Sequence, residues 1–265
     1  MARPLQLSPL YAILDIDCIA QHIQSRRAAE QWDRVTDEIV NKMVADQPEG
    51  LYQALPPANR PPEEAALLSA VVDFARQLHA GGVRWLQYRA IQLPTRSALA
   101  HAAALRKAFP KFNAPQQATL AGNPTLTLIM NDRADLCLAA DFDGVHVGQD
   151  DLWPEAVRAL VGSRIVGVST HSPEQVAEAS ASQADYVAIG PVFATASKLN
   201  PDPVVGLEGV RRARQLTTKP LVAIGGITLA NCRQVRDAGA DSVAVISALL
   251  DHPRESAENF LRLLS

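Results

Sequence analysis

The sequence predicts an α/β fold, a parallel strand-helix ring of the (β/α)8 barrel kind. Three observations carry that expectation. Short runs rich in β-branched residues alternate with segments of helical period; glycines stand where each helix must stop; and eight strand-like runs occur along the 265 residues. Alternation of this kind builds a parallel sheet covered by helices, and eight repeats close a ring of about 250 residues.

The strands are expected at Leu10 to Asp15, Val83 to Arg89, Leu126 to Met130, Gly144 to Val147, Arg164 to Val168, Tyr186 to Ile189, Leu221 to Ile224 and Ser242 to Ile246. Helix starts are marked by Pro94-Thr95, Asp132, Trp153-Pro154, Ser172-Pro173 and Thr228, each a capping side chain or a proline suited to a first turn. Gly81-Gly82, Gly162 and Gly239 fall where the chain turns back into the next strand, as C-terminal glycine caps do. One stretch interrupts the rhythm. Residues 18 to 60 pass through a charged, helix-prone segment (Gln24 to Val44) and two proline-rich turns before a regular helix at Pro62 to Ala80. We read a single domain, 1–265, with a helical insertion in the first strand-helix loop that serves as a lid, a dimerisation arm or decoration.

Composition narrows the function classes. Against 28 acidic residues stand 25 basic ones, a net charge of -3, so no overall positive field attracts nucleic acid or an anionic membrane. Cys18, Cys137 and Cys232 are too few and scattered for a disulfide framework or a zinc cluster. Neither a signal peptide nor the run of about 18 apolar residues needed to span a bilayer is legible, so a cytoplasmic protein acting on small molecules is expected. A homo-oligomer is compatible with the sequence. The chain contains no G-x-S-x-G elbow, H-E-x-x-H pair or P-loop.

In a barrel, chemistry gathers at the C-terminal ends of the strands. Polar residues follow nearly every apolar strand here. Asp132 and Asp151 lie just beyond neighbouring strands, and Mg²⁺ takes one or two carboxylates together with waters and substrate phosphate oxygens. Each acid has a plainer reading, Asp132 as a helix cap and Asp151 as a turn residue; the pair together favours a metal. Gly225-Gly226 opens a helix after the seventh strand, and Ile246-Ser247 leaves the eighth, the two loops that commonly hold a phosphate in such barrels. Glycine as mere turn chemistry is the competing explanation. Thr195, Ser197 and Lys198 bring two hydroxyls and an ammonium to the sixth loop. Gln87 and Arg89 alternate with Leu86 and Tyr88, which turns both polar side chains to the barrel centre. His146 reads as a hydrogen-bonded core histidine, and His171 either meets substrate or supports the helix start at Ser172.

Taken in order, Gln87-x-Arg89, Asn131-Asp132-Arg133, Asp143 to Asp151 (DGVHVGQDD), Gly167 to His171 (GVSTH), Gly190 to Phe193 (GPVF), Thr195-x-Ser197-Lys198 and Ala223 to Thr228 (AIGGIT) resemble the thiamine-phosphate synthase family over about Val83 to Leu250. The resemblance implies a TIM barrel transferase. It would join 4-amino-2-methyl-5-(hydroxymethyl)pyrimidine diphosphate to a thiazole phosphate, releasing pyrophosphate. By the same analogy Asp132 and Asp151 hold Mg²⁺, while Gln87, Arg89, Asn131, Ser169 and Lys198 attend the pyrimidine and its diphosphate. Thr195, Ser197, Gly225, Gly226, Ile246 and Ser247 would hold the thiazole phosphate, with His171 beside the substrate. The family usually carries a lysine where this chain has Ile91 and lacks the long first-loop insertion. Two alternatives stand beside it. One is a thiazole tautomerase with His171 as general acid-base; the other is a non-catalytic thiamine-precursor-binding regulatory protein.

Overall fold

The computed structural model describes residues 5–30, 62–111, 125–195 and 202–265. In chain order the elements are β1 (Leu10–Asp15), α1 (Ile16–Glu30), α2 (Pro62–Ala80), β2 (Trp85–Arg89), α3 (Thr95–Ala108), β3 (Thr127–Asn131) and α4 (Ala134–Ala139). There follow β4 (Gly144–Val147), α5 (Pro154–Val161), β5 (Ile165–Thr170), α6 (Pro173–Ala181), β6 (Tyr186–Ile189) and α7 (Gly206–Leu216). The chain ends with β7 (Leu221–Ile224), α8 (Cys232–Asp237), β8 (Ser242–Val245), a 3-10 turn (Ser247–Leu249) and α9 (Pro253–Leu264). All eight strands pair in parallel in sequence order, and β8 returns to β1, closing the barrel.

Closure is legible in which side chains share a layer. Alternate residues of each strand point to opposite sides of the sheet. Leu10, Ala12 and Leu14 join the large cluster packed under the helices, with Leu86, Tyr88, Leu128, Met130, Val145, Val147, Val166 and Val168. Tyr11, Ile13, Trp85, Ile129, Tyr186, Ala188, Val222 and Ala244 fill the barrel interior. Four aromatic or imidazole rings crowd that interior, Tyr11, Trp85, His146 and Tyr186, with centroids 5.4 to 6.1 Å apart. Gly167, the β5 partner of Tyr186, makes this fit: a Cβ there would lie 2.1 Å from the Tyr186 ring.

Four strand ranges match expectation to the residue, and the others differ by one or two positions at an end. Two helix starts are corrected. Asp132 does not cap its helix, because Arg133 occupies the cap position of α4. Thr228 precedes a separate turn: its carbonyl accepts the Cys232 N–H at 2.9 Å, and α8 begins after Asn231. Helix α1 takes up the start of the expected insertion; its remainder, 31–60, lies outside the described residues, as do Ser197 and Lys198. Among the described residues no helix is long and apolar enough to cross a membrane.

Candidate active site

The C-terminal rim of β1 to β4 carries a cluster of charge. Asp15 and Arg89 are neighbours in the β1–β2 register, and Arg89 Nη1 donates to Asp15 Oδ2. Asp132 follows β3 in a left-handed conformation, φ 59°, held there by its N–H donating to the His146 carbonyl of β4 at 2.7 Å. Aspartate is among the few residues that tolerate this region, at a cost of about 1 kcal/mol. The Asp132 carboxyl lies near enough to that of Asp151 for the two to interact. Asn131 Nδ2 donates to Asp132 Oδ2 at 2.6 Å, and the Gly148 N–H donates to Asp151 Oδ2 at 2.8 Å. Asp151 is therefore a turn residue and a partner of Asp132 at once.

Two carboxyls brought together resist double ionisation. Burial first, and then the Asp151 carboxylate, push Asp132 up to about 7, while Arg89 and Asn131 pull the other way. Asp132 thus keeps its proton to a higher pH than an ordinary carboxylate. A hard divalent cation relieves the same repulsion, and two carboxylates with open positions are the donor set Mg²⁺ accepts. Among the described residues no group of three or more His, Cys, Asp or Glu assembles as a metal cage, so any metal here depends on substrate and water for its remaining ligands.

Below the rim an unbroken hydrogen-bond chain crosses the barrel. Gln87 Nε2 donates to Tyr11 Oη at 3.1 Å; Tyr11 Oη and Tyr186 Oη are 3.0 Å apart; Tyr186 Oη meets His146 Nδ1 at 2.9 Å; His146 Nε2 meets Ser169 Oγ at 2.8 Å. Burial lowers His146 to about 4, so its ring is neutral near pH 7. A proton on Nε2 lets Tyr186 donate to Nδ1 and Nε2 donate to Ser169, which satisfies every member and leaves the Ser169 hydroxyl proton for a ligand. Gln87 and Ser169, both expected to meet substrate, are the two ends of this chain. His146 is the core histidine its strand position indicated.

Sequence reasoning missed Tyr11, Tyr186 and Asp15. A signal was present, since strand alternation sends Tyr11 and Asp15 to the same face as Ile13, but nothing local says that Tyr11 meets Tyr186 at a separation of 175 residues.

The opposite rim, from β6 to β8, is made of main chain. Val192 N–H donates to the Ile224 carbonyl at 2.8 Å and Phe193 N–H to the Gly225 carbonyl at 3.0 Å, which fastens the sixth loop to the seventh. Gly225 and Gly226 have φ 102° and 63°. A Cβ on Gly226 would fall 2.5 Å from the Ala194 carbonyl oxygen, and one on Gly225 2.6 Å from Pro191 Cα. Loop packing therefore demands these glycines, and the absence of side chains leaves main chain at the rim. Ile246 and Ser247 begin the 3-10 turn directly after β8. Its first N–H groups have no acceptor within the turn, as at any helix start, which suits an anion. Thr195 stands at the last described position of the sixth loop.

His171 takes the helix-start role expected of it. Its N–H donates to Gln175 Oε1 at 2.6 Å while Ser172 accepts the Gln175 N–H, a reciprocal cap on α6. Its side chain faces the sixth loop, with Nδ1 donating to the Gly190 carbonyl at 2.6 Å and Nε2 lying 3.5 Å from Asp202 Oδ2.

Known proteins are similar to this chain along most of the barrel. The family described as thiamine monophosphate synthase matches residues 62–249. A thiamine-phosphate synthase of Koribacter versatilis is 56% identical over 198 residues, 74% of this chain and 88% of the relative. One from Chloroflexus aurantiacus is 41% identical over 170 residues, covering 64% and 73% respectively. Among solved structures, a thiamine phosphate pyrophosphorylase from Pyrococcus furiosus superposes with a TM-score of 0.62 at 32% identity, covering 73% of this chain and 88% of the other. The carboxyl pair, the interior hydrogen-bond chain and the main-chain rim all fall within the matched segment or on the strand that completes its barrel, and this chain belongs to the thiamine monophosphate synthase family.

Proposed function

We propose that the chain is a thiamine-phosphate synthase, a transferase that moves the 4-amino-2-methylpyrimidin-5-ylmethyl group from its diphosphate to a thiazole phosphate and releases pyrophosphate. The observation that carries this reading is the Asp132–Asp151 carboxyl pair beside Arg89, on the same rim as the Gly225-Gly226 and Ile246-Ser247 main chain. A substrate with a diphosphate at one end and a partner with a phosphate ester match these two anion sites.

Asp132 and Asp151 would hold Mg²⁺, which when bound supplies positive charge to the departing diphosphate. The protein's own contribution is positional and electrostatic. Arg89 neutralises charge that grows on the leaving group as the methylene C–O bond breaks and its electron pair goes to pyrophosphate. Gln87 and the Ser169 hydroxyl, fixed at the two ends of the interior chain, orient the pyrimidine between them. The thiazole phosphate, seated at the β6–β8 main chain with Thr195 and Ser197 of the sixth loop, presents its ring nitrogen. That nitrogen's lone pair then forms the new C–N bond. No proton need leave the reacting atoms in this step, which accords with a site lacking an evident general base.

The test is pyrophosphate release with both substrates, with Mg²⁺ and then with chelator. Release that requires Mg²⁺, and is lost in Asp132→Ala, supports the reading. No release above the metal-free control removes it. Isomerisation of the thiazole phosphate alone, abolished by His171→Ala, would instead establish the tautomerase.

A further inference from the structure

We infer that Asp15 is a positioning residue whose carboxylate, anchored at the start of α1, holds the Arg89 guanidinium at the rim where the diphosphate binds. This rests on the synthase reading and names a residue that sets the geometry of its anion site.

The pair is built asymmetrically. Asp15 and Arg89 are the last partners in the β1–β2 ladder, so both side chains emerge at the same level of the barrel mouth. The Asp15 side chain is 1% exposed and that of Arg89 is 19% exposed. Both Asp15 oxygens are occupied: Oδ1 accepts the Cys18 N–H at 3.0 Å, at the first turn of α1, and Oδ2 accepts from Arg89 Nη1. A carboxylate held at both oxygens cannot swing. The guanidinium, by contrast, has donors to spare, since a guanidinium carries five N–H groups and among the described residues it donates only to Asp15. An ion pair that served the barrel alone would have both members sealed. Here one member is sealed and fixed, and the other retains hydrogen-bonding capacity at the mouth.

Arg89 also has reach to the carboxyl pair, because its charge acts on Asp132. The other arginine of that region is otherwise committed. Arg133 Nε and Nη2 donate to Asp135 at 2.8 and 2.6 Å, and its Nη1 donates to Thr95 Oγ1 at 3.3 Å. Among the described arginines of this rim, placement of positive charge beside the leaving group thus falls on Arg89, a long, rotatable side chain. Fixing it in advance matters, because an arginine free to choose among rotamers would lose that freedom on each binding event.

A purely capping role for Asp15 makes a different prediction, which provides the test. Binding of inorganic pyrophosphate with Mg²⁺ is measured by calorimetry on the full chain. Asp15→Ser retains an N-cap acceptor for α1 but neither the charge nor the reach to Arg89; Asp15→Asn retains shape without charge. Both are expected to bind about tenfold more weakly, the scale of coupling between contacting residues. In an Arg89→Ala background the same substitutions should cost nothing further. Wild-type affinity in Asp15→Ser, or a full additional loss in the Arg89→Ala background, overturns the inference. Should both Asp15 variants fail to fold, Arg89→Lys probes the pair from the other side. It keeps the charge on a flexible ammonium without the planar fork, and undiminished affinity in it would equally overturn the proposal. The two readings separate cleanly: wild-type protein that binds magnesium pyrophosphate yet releases none from the two substrates removes the synthase function and leaves the positioning role standing, whereas wild-type protein that binds none removes both.

Discussion

The two halves of the barrel rim present polar groups to its mouth by different means. From β1 to β4 the work falls to side chains: Asp15, Arg89, Asn131, Asp132 and Asp151. From β6 to β8 it falls to main chain at Gly225, Gly226, Ile246 and Ser247, in loops stitched together by backbone hydrogen bonds. The first half holds carboxyls whose charge depends on pH. The second carries no ionisable group of its own at those positions and answers only to conformation. In the synthase reading, the variable charge on a leaving group would be matched by adjustable charge, and a constant phosphate handle by fixed dipoles.

That contrast is most severely tested at Asp132. Asp132→Asn is expected to lower kcat/KM by at least about 100-fold, the scale on which perturbing a metal site or a fixed electrostatic group acts. Affinity for the thiazole phosphate should not change, and if it does the two halves are not separable. The same variant has a stability signature. The folded-state value of Asp132, about 7, lies above its ordinary carboxylate value of 3.8. The folded protein therefore holds a proton the unfolded chain has lost; that stabilisation is complete below about pH 4 and disappears as pH rises through 7. Metal-free Asp132→Asn should consequently melt above wild type at pH 8, by about 2–4 °C for each kcal/mol of relief, and with less advantage at pH 5. Excess Mg²⁺ should erase the difference by stabilising wild type alone.

Gly226→Ala attacks the other half. The substitution forces a side chain into φ 63° with a Cβ 2.5 Å from the Ala194 carbonyl, so the sixth and seventh loops must part. KM for the thiazole phosphate should rise about tenfold, equivalent to the 1–2 kcal/mol cost of that conformation. Binding of magnesium pyrophosphate, measured calorimetrically, should hold at the wild-type value.

The interior chain runs beneath the rim from Gln87 to Ser169, and His146 links Tyr186 to Ser169 within it. His146→Ala opens a cavity and leaves Tyr186 and Ser169 without their partner, which should reduce stability by about 2–4 kcal/mol in urea unfolding. Its pH dependence has a definite sign. Because the folded value is depressed to about 4 from 6.5, the unfolded chain binds the proton first. The contribution of the neutral ring is intact above about 6.5 and is lost as pH falls toward 4. Wild type should lose stability across that window more steeply than His146→Gln; equal slopes would show that the ring is not held neutral.

The smallest effect belongs to Ile91, a side chain 53% exposed beyond β2. Ile91→Lys adds a cation near the diphosphate half, and KM for the pyrimidine diphosphate should fall by about two- to fivefold, the range of an exposed ion pair. High salt should abolish the gain. A similar improvement in thiazole phosphate affinity would blur the division of labour.

Much of the barrel was readable from letters because strand burial, helix period and glycine stops are local properties. Leu10–Asp15, Gly144–Val147, Tyr186–Ile189 and Leu221–Ile224 needed no tertiary information. The carboxyl pair was also anticipated, since ring order places the ends of β3 and β4 side by side once eight parallel strands are assumed. What was read wrongly was fine local geometry. Asp132 looks like a helix cap by type and position, yet a backbone hydrogen bond from its own N–H to His146 of β4 sets it one residue too early for that role.

Composition and period therefore specified a closed parallel ring with anion chemistry at one mouth, because apolar alternation and turn residues act within a few positions of themselves. The mutual approach of Asp132 and Asp151, the line from Gln87 through Tyr11, Tyr186 and His146 to Ser169, and the grip of Asp15 on Arg89 arose only on folding. Burial and Coulomb interaction depend on distance in space, and residues far apart in the chain acquire that distance only when the barrel closes.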